Sequence, residues 1–322
     1  RTDNSPDNGY NTIISNFNQW WQRQLDMKRL RSYRRNGQIV SWNIQGVTNA
    51  TPLYWDSPFF HVYENLSGQN KNALYGKVGL AYTVNDYLNA NIEIRKSLNS
   101  YESNSRTAFG GLNTPYYGES ESIDVYDELF GVVNFDKDIT EDIDLQATVG
   151  FEMNDSNYKS ISGGSVGGLS TLDFYSLGTS IDRPSLSSSK TRVKRQSTFG
   201  KASFGWKNMV YVDGSVRLDW QSTANPEDNR VETFGASTSF IFSKLLPKND
   251  ILTFGKVRAS LAEAPSFPGA YSNNITYGGG TAYGSNGAQS LSSRYPNPNL
   301  IGGKKSELEL GTELKFLKNR VG

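Results

Sequence analysis

The segment YVDGSVRLDW, residues 211–220, carries two interleaved patterns. Tyr211, Asp213, Ser215, Arg217 and Asp219 are polar or charged. Val212, Gly214, Val216, Leu218 and Trp220, with Val210 ahead of them, are apolar or small. A strand sends alternate side chains to opposite faces, so this is a strand with one apolar and one ionic face. What the apolar face meets decides the fold.

The same period of two runs through most of the chain. From residue 73, Leu74, Val78, Leu80 and Val84 alternate with Tyr75, Lys77 and Thr83. Leu88, Ala90, Ile92 and Ile94 then alternate with Asn89, Asn91, Glu93 and Arg95. Further segments at residues 128–135, 143–153 and 198–206 precede the quoted one. Three more follow it, around Phe234–Phe240–Phe242, Val257–Leu261 and Leu308–Phe316. Nine strands are therefore predicted. The connections after the odd-numbered strands are short, about 2 to 8 residues, while those after strands two, four, six and eight run to about 26, 39, 10 and 42.

Alternation alone fits a soluble antiparallel sheet with one buried face equally well. Three features favour a transmembrane β-barrel. All the long connections fall at one end, as in barrels with short periplasmic turns and long extracellular loops. The polar face is charged: Glu93, Arg95, Asp213, Arg217, Lys256, Arg258 and Glu313 suit a wet lumen. Ten residues at about 3.3 Å each, tilted about 45°, rise roughly 23 Å, close to an outer-membrane apolar band of about 25 Å. Trp206 and Trp220 lie at strand ends, where an interfacial girdle belongs. On this reading Val210, Val212, Val216, Leu218, Phe240 and Phe242 face lipid, and Glu93, Arg95, Tyr211, Asp213, Arg217, Asp219, Lys256 and Arg258 face the lumen or a plug. An open sheet edge is not tolerated in lipid, and bacterial single-chain barrels have even strand numbers. The expectation is an all-β chain forming an antiparallel segment of a larger barrel.

Composition narrows the function. The chain of 322 residues has 33 Lys+Arg against 32 Asp+Glu, no cysteine and one histidine, His61. This excludes the basic excess of a nucleic-acid binder and a thiolate metal site, and disfavours histidine-based catalysis. No apolar run reaches the roughly 20 residues of a membrane helix. The opening RTDNSPDN is not a signal peptide, so processing or truncation is expected upstream.

Residues 1–72 are predicted as an extracellular loop region rather than barrel, with an amphipathic helix over about residues 14–31 that presents Ile14, Phe17, Trp21 and Leu25 on one side. Residues 73–322 carry the strands. No catalytic constellation and no cofactor are predicted. DKDITEDID, residues 136–144, lacks the spacing and glycine of a calcium loop and reads as a solvated turn. The glycines at 278–280, 284 and 287 lack the Lys-Ser/Thr of a phosphate loop. Tyr54, Trp55, Phe59, Phe60, Tyr116 and Tyr117 are loop aromatics that either contact cargo or a lid, or hold the long loops together.

Several long words together resemble the SusC-like (SusC/RagA) TonB-dependent outer-membrane transporters of Bacteroidetes. They are NQWWQRQLDMKRLR at 18–31, FGKASFGWKNMVYVDGSVRLDW at 199–220, FIFSKLLPKNDILTFGKVRAS at 240–260, NPNL at 297–300 and SELELGTELKFLKNR at 306–320. The resemblance implies a barrel of 22 strands around an N-terminal plug, of which this chain is the middle portion. Plug and closing strands are then absent from it. It further implies a SusD-like surface lipoprotein as a lid, TonB acting through a segment outside this chain, and uptake of glycans or oligopeptides. Two stretches depart from the family pattern: Pro265–Ser266–Phe267 after RASLAEA, and IGGKK at 301–305. Both touch the longest loop and leave the cargo open. A SusC-like barrel reused as a structural subunit, a passive porin-like channel and a soluble β protein are the alternatives.

Overall fold

The computed structural model describes residues 3–6, 18, 21–247 and 251–322. In its first part it has β1 (Asp3–Pro6) and two small hairpins, β2 (Arg34–Arg35) with β3 (Gln38–Ile39) and β4 (Ile44–Gly46) with β5 (Asn49–Pro52). Long strands follow: β6 (Leu66–Asn85), β7 (Leu88–Thr107), β8 (Tyr116–Thr140), β9 (Ile143–Leu169), β10 (Ser180–Trp206), β11 (Val210–Gln221), β12 (Arg230–Phe240) and β13 (Leu252–Ser266). A hairpin of β14 (Tyr277–Tyr283) and β15 (Asn286–Leu291) precedes the last, β16 (Gly303–Phe316). The nine expected strands form one sheet in chain order, β6 to β13 and then β16. Its tenth member, β1, pairs antiparallel with the start of β6, so the first 72 residues are not free of the sheet as expected.

The register confirms which residues share a face. Directly opposite residues in an antiparallel pair point the same way. Phe204 pairs with Val212, Val212 with Thr238, Thr238 with Ala259, and Ala259 with Leu310. One row over, Ala202, Gly214, Ala236, Leu261 and Leu308 align. The opposite face aligns Ser203, Asp213, Ser237, Ser260 and Glu309. The β10–β11 connection sets this register: Lys207 and Asn208 both have φ of 52°, the left-handed pair of a tight hairpin turn that twists with its strands.

Burial is inverted relative to a soluble sheet. Val216 is 39% exposed and Leu310 77%, whereas Asp219 is 0%, Ser197 2% and Thr233 4%. The apolar face is the open one. No described helix is long and apolar enough to cross a membrane.

Four expectations need correction. The predicted long loops after strands two and four are mostly strand: β7 and β8 run 20 and 25 residues, and β9 and β10 run 27 each. The joining segments shrink to residues 108–115 and 170–179. About ten residues cross a membrane, so these strands extend far past that need. In these extensions the apolar alternation disappears while the backbone ladder continues. Sequences such as SLNSYESNSRT in β7 therefore read as loop. The acidic 136–144 stretch is likewise mostly ladder, with residues 141–142 as the turn.

The predicted helix over 14–31 lies partly outside the described residues, which omit 14–17, 19 and 20. Within them it is a single turn, Met27–Leu30. Asp26 caps it, accepting the N–H groups of Lys28 and Arg29, and its own extended backbone (φ −84°, ψ 101°) ends any helix running in from Trp21. Trp21 instead packs edge-on against Trp42 at 5.6 Å. Finally, Phe242 is not on a strand. β12 stops at Phe240, and Phe242 starts a 3-10 turn whose ring occupies the space a side chain at Gly255 would need.

The chain divides into two compact units. The first comprises Arg1–Leu74, Leu98–Asp124 and Tyr158–Lys190; the second comprises Tyr75–Ser97, Val125–Asn157 and Thr191–Gly322. The first has a small core of Ile39, Phe60 and Ala108 with Tyr33 and Tyr175 packed on it. The second is strand ladder with the two faces described above.

Candidate functional site

In the second unit the polar face is built around two arginines. Arg95 donates from Nε to Glu93 at 2.8 Å and from Nη1 to Glu128 at 3.0 Å, and Lys77 sits 3.5 Å from Glu93. Arg217 donates from Nε to both oxygens of Asp219 and from Nη2 to Glu152 and to the Ser197 hydroxyl, at 2.8 to 3.1 Å. Arg195 reaches Glu152 at 2.9 Å, and the Ser197 hydroxyl donates to Asp219 at 2.6 Å. The carboxylates are the shielded members of this network, while the arginines and Lys77 stay partly exposed.

Two phenylalanines join the arginines. Arg95 lies 4.6 Å from the Phe130 ring centre, Phe130 stacks on Phe199 at 6.1 Å, and Arg217 lies 5.7 Å from Phe199. The result is a cation–ring–ring–cation row. β9 runs between the strands that carry the two rings. Gly150 of β9 makes the stack possible, because the Phe199 ring fills the space a Cβ there would take.

Of the residues expected on this face, Glu93, Arg95, Arg217 and Asp219 are in the network. Asp213 accepts the Ser237 hydroxyl at 2.6 Å, and Tyr211 donates to Asn208 at 3.4 Å. Lys256 is opposite Glu313, and the Arg258 side chain lies over Gly311. Glu128, Phe130, Glu152, Arg195, Ser197 and Phe199 are the members that sequence reading did not single out. Glu152 and Phe199 stood in predicted strands, but nothing in their spacing pairs them with a partner two strands away. Of the residues expected on the apolar face, Val212 and Val216 are exposed, and Val210, Leu218 and Phe240 are half-buried.

In the first unit a cavity of about 920 Å³ opens among β6, β7, β8, β9 and β10. Seven serines line it, with Ser103, Ser105, Ser162 and Ser187 among them, together with Gly118, Gly164 and Tyr116. Ser103 and Ser120 hydrogen-bond at 2.9 Å, and Ser185 donates to the Gly164 carbonyl at 3.2 Å. The expected loop aromatics divide here. Tyr116 lines the cavity. Tyr117 is half-buried, its hydroxyl donating to Glu119 at 3.0 Å, and burial followed by Glu119 pushes that phenol up. Tyr54 is exposed, and Phe59 stacks on Tyr63 at 6.2 Å. Trp55 and Phe60 are buried and so serve packing, not cargo contact.

That packing centres on the helix Pro58–Glu64. Asp56, 1% exposed, accepts the Leu112 N–H, and burial pushes its carboxyl up against that bond's opposite pull. Asn65 accepts the Ala108 N–H at 2.8 Å. Burial also pushes the Glu64 carboxyl up, but bonds from Arg34 and Tyr33 outweigh it and hold the group below its ordinary range.

No family model and no curated protein matches this chain. Solved structures do. The RagAB peptide transporter matches with a TM-score of 0.70 at 18% identity over 88% of this chain. The RagAB peptide importer in open-open and closed-closed states matches at 0.68 and 0.67, with 18% and 19% identity over 88% and 83% of it. This chain spans about a third of the length of those chains, 32% in the first case. The likeness establishes the fold: a large antiparallel sheet of the outer-membrane barrel type.

Proposed function

We propose that this chain is part of the barrel of an outer-membrane, TonB-dependent importer that takes up glycans or oligopeptides under a SusD-like lipoprotein lid. One observation carries the reading. Val212, Val216, Phe234, Leu261 and Leu310 stand exposed on one face, while Asp219 and Ser197 are buried on the other. An exposed apolar face of this extent is unstable in water and suited to lipid, and a charged, internally paired face suits a lumen or plug. The shared fold with the RagAB transporter supports the same reading. TonB would act through a segment outside this sequence, and the row from Arg95 to Arg217 would face the barrel interior.

The test uses the full-length protein in its native membrane. Detergent extraction should be needed to release it, and a SusD-like lipoprotein should co-purify. Deleting the gene should abolish uptake of at least one glycan or oligopeptide class. Uptake of both classes at the parental rate in the deletion strain would sink the importer reading.

A further inference from the structure

We infer that the serine-lined cavity of the first unit is a binding groove for a neutral, polyhydroxylated chain, an oligosaccharide rather than a peptide. The inference rests on the importer reading and narrows its cargo. It begins from the groove's chemistry. Seven serine hydroxyls, Gln69 and strand backbone supply groups that both donate and accept. Sugar hydroxyls have the same dual character, so each can be satisfied without a fixed polarity along the groove.

Charge argues the same way. The lining has one cationic and one carboxylate side chain, Lys71 and Glu119. Both are engaged: Lys71 lies 4.9 Å from the Tyr101 ring centre, and Glu119 accepts the Tyr117 hydroxyl. A zwitterionic peptide would have its termini desolvated here without a dedicated counter-charge. Its apolar side chains would also lack pockets, since Leu186 is the one aliphatic side chain in the lining.

Tyr116 supplies the remaining element of sugar recognition, an aromatic surface beside hydrogen-bonding groups. Its ring lies across two glycines. The hydroxyl and one ring edge fill the space of a Cβ at Gly118, and the hydroxyl and the other edge that at Gly164. Glycine at both positions lets the ring settle onto the backbone and leaves it 38% exposed at the groove. On β7, Ser103 and Ser105 are alternate residues and so present their hydroxyls on one face, the face on which Ser103 bonds Ser120.

The experiment measures binding to the detergent-purified full-length protein by calorimetry. The probes are the neutral hexasaccharides of glucose (α- and β-linked), xylose and mannose, with hexa-alanine in free and in acetyl-amide form. At least one hexasaccharide should bind. Ser105→Arg and Ser187→Arg, which push a long charged side chain into the groove, should each weaken it at least tenfold. Tyr116→Ala should do the same, and Tyr116→Phe should stay within threefold of the parent. Heat-modifiable gel mobility checks that each variant has folded. Binding of no hexasaccharide, binding indifferent to all three disruptive substitutions, or displacement by either peptide overturns the proposal. Uptake assays separate it from the importer reading. Lost peptide uptake on deletion with no hexasaccharide binding removes the glycan groove alone. Groove binding with undiminished uptake of both classes removes import alone.

Discussion

Arg217 donates through Nε to both carboxylate oxygens of Asp219, at 3.0 and 3.1 Å, and Asp219 has no exposed surface. Between them sits Leu218, on the opposite face with Val216. In three residues the strand passes from a shielded charge pair to apolar surface and back. Asp219→Ala should therefore cost about 1–3 kcal/mol, because Arg217 and the buried Ser197 hydroxyl each lose a charge-assisted partner while Arg217 keeps Glu152. Urea unfolding of the full-length protein in lipid vesicles measures this. The pair replacement Arg217→Met with Asp219→Leu should recover much of the loss, which the single change cannot.

The row of rings depends on a missing side chain. Gly150→Val should displace Phe199 from Phe130 and uncouple Arg217 from the stack, because the ring already occupies the Cβ position. Overpacking of this kind costs about 1–3 kcal/mol. Adding Phe199→Ala to Gly150→Val should make the second change cheaper than Phe199→Ala alone, a coupling that a double-mutant cycle reads directly.

How much of this was legible in sequence follows from period and range. Period two locates all nine strands and sorts Val212, Val216, Asp213 and Arg217 to their faces, because there one face is apolar and the other charged. It fails where the alternation stops. Ser103, Ser105, Ser162 and Ser187 sit in ladder segments with polar residues on both faces, so nothing in their pattern marks them as strand. The Phe130–Phe199 stack was out of reach for another reason: it depends on which residue of an intervening strand is glycine, a matter of register. For Phe60 the choice between cargo contact and loop packing is not open to sequence, because its burial comes from the backbone at Gly111 and from Ala108, far along the chain.

Acid should loosen the first unit by way of Glu64. Its carboxyl is held below the ordinary value of 4.5 in the folded state. A depressed carboxylate gives its full stabilisation above the unfolded pKa and loses it as pH falls through the folded one. Amide exchange in the helix Pro58–Glu64 should thus speed up below about pH 4.5. Glu64→Gln should flatten that dependence. Asp56, pushed up by burial, works with the opposite sign: its contribution is complete at low pH and lost as pH rises, so Asp56→Asn should be tolerated best near neutrality.

Phe60 anchors the same unit, with no exposed surface and contacts to Tyr33 at 6.2 Å and to the backbone at Gly111. Phe60→Ala should cost about 3–5 kcal/mol. Limited proteolysis of the purified protein should then cut within residues 38–65 first, with the β10–β12 ladder left intact.

The central claim is that the apolar face meets lipid. These 322 residues contain no cysteine, so once any cysteine elsewhere in the full-length protein is replaced by serine, single replacements at Val212, Phe234 and Leu310 on one face, and at Asp213, Ser237 and Glu309 on the other, each give one labelling site. With an environment-sensitive fluorophore at each site in the full-length protein, reconstituted in vesicles, quenching by brominated acyl chains should be strong for the first three and absent for the last three. Val216→Arg should in parallel weaken membrane folding by about 2–4 kcal/mol. Lipid quenching absent at Val212, Phe234 and Leu310, with those sites shielded from aqueous quenchers as well, would mean that a protein core covers the face and would contradict the account.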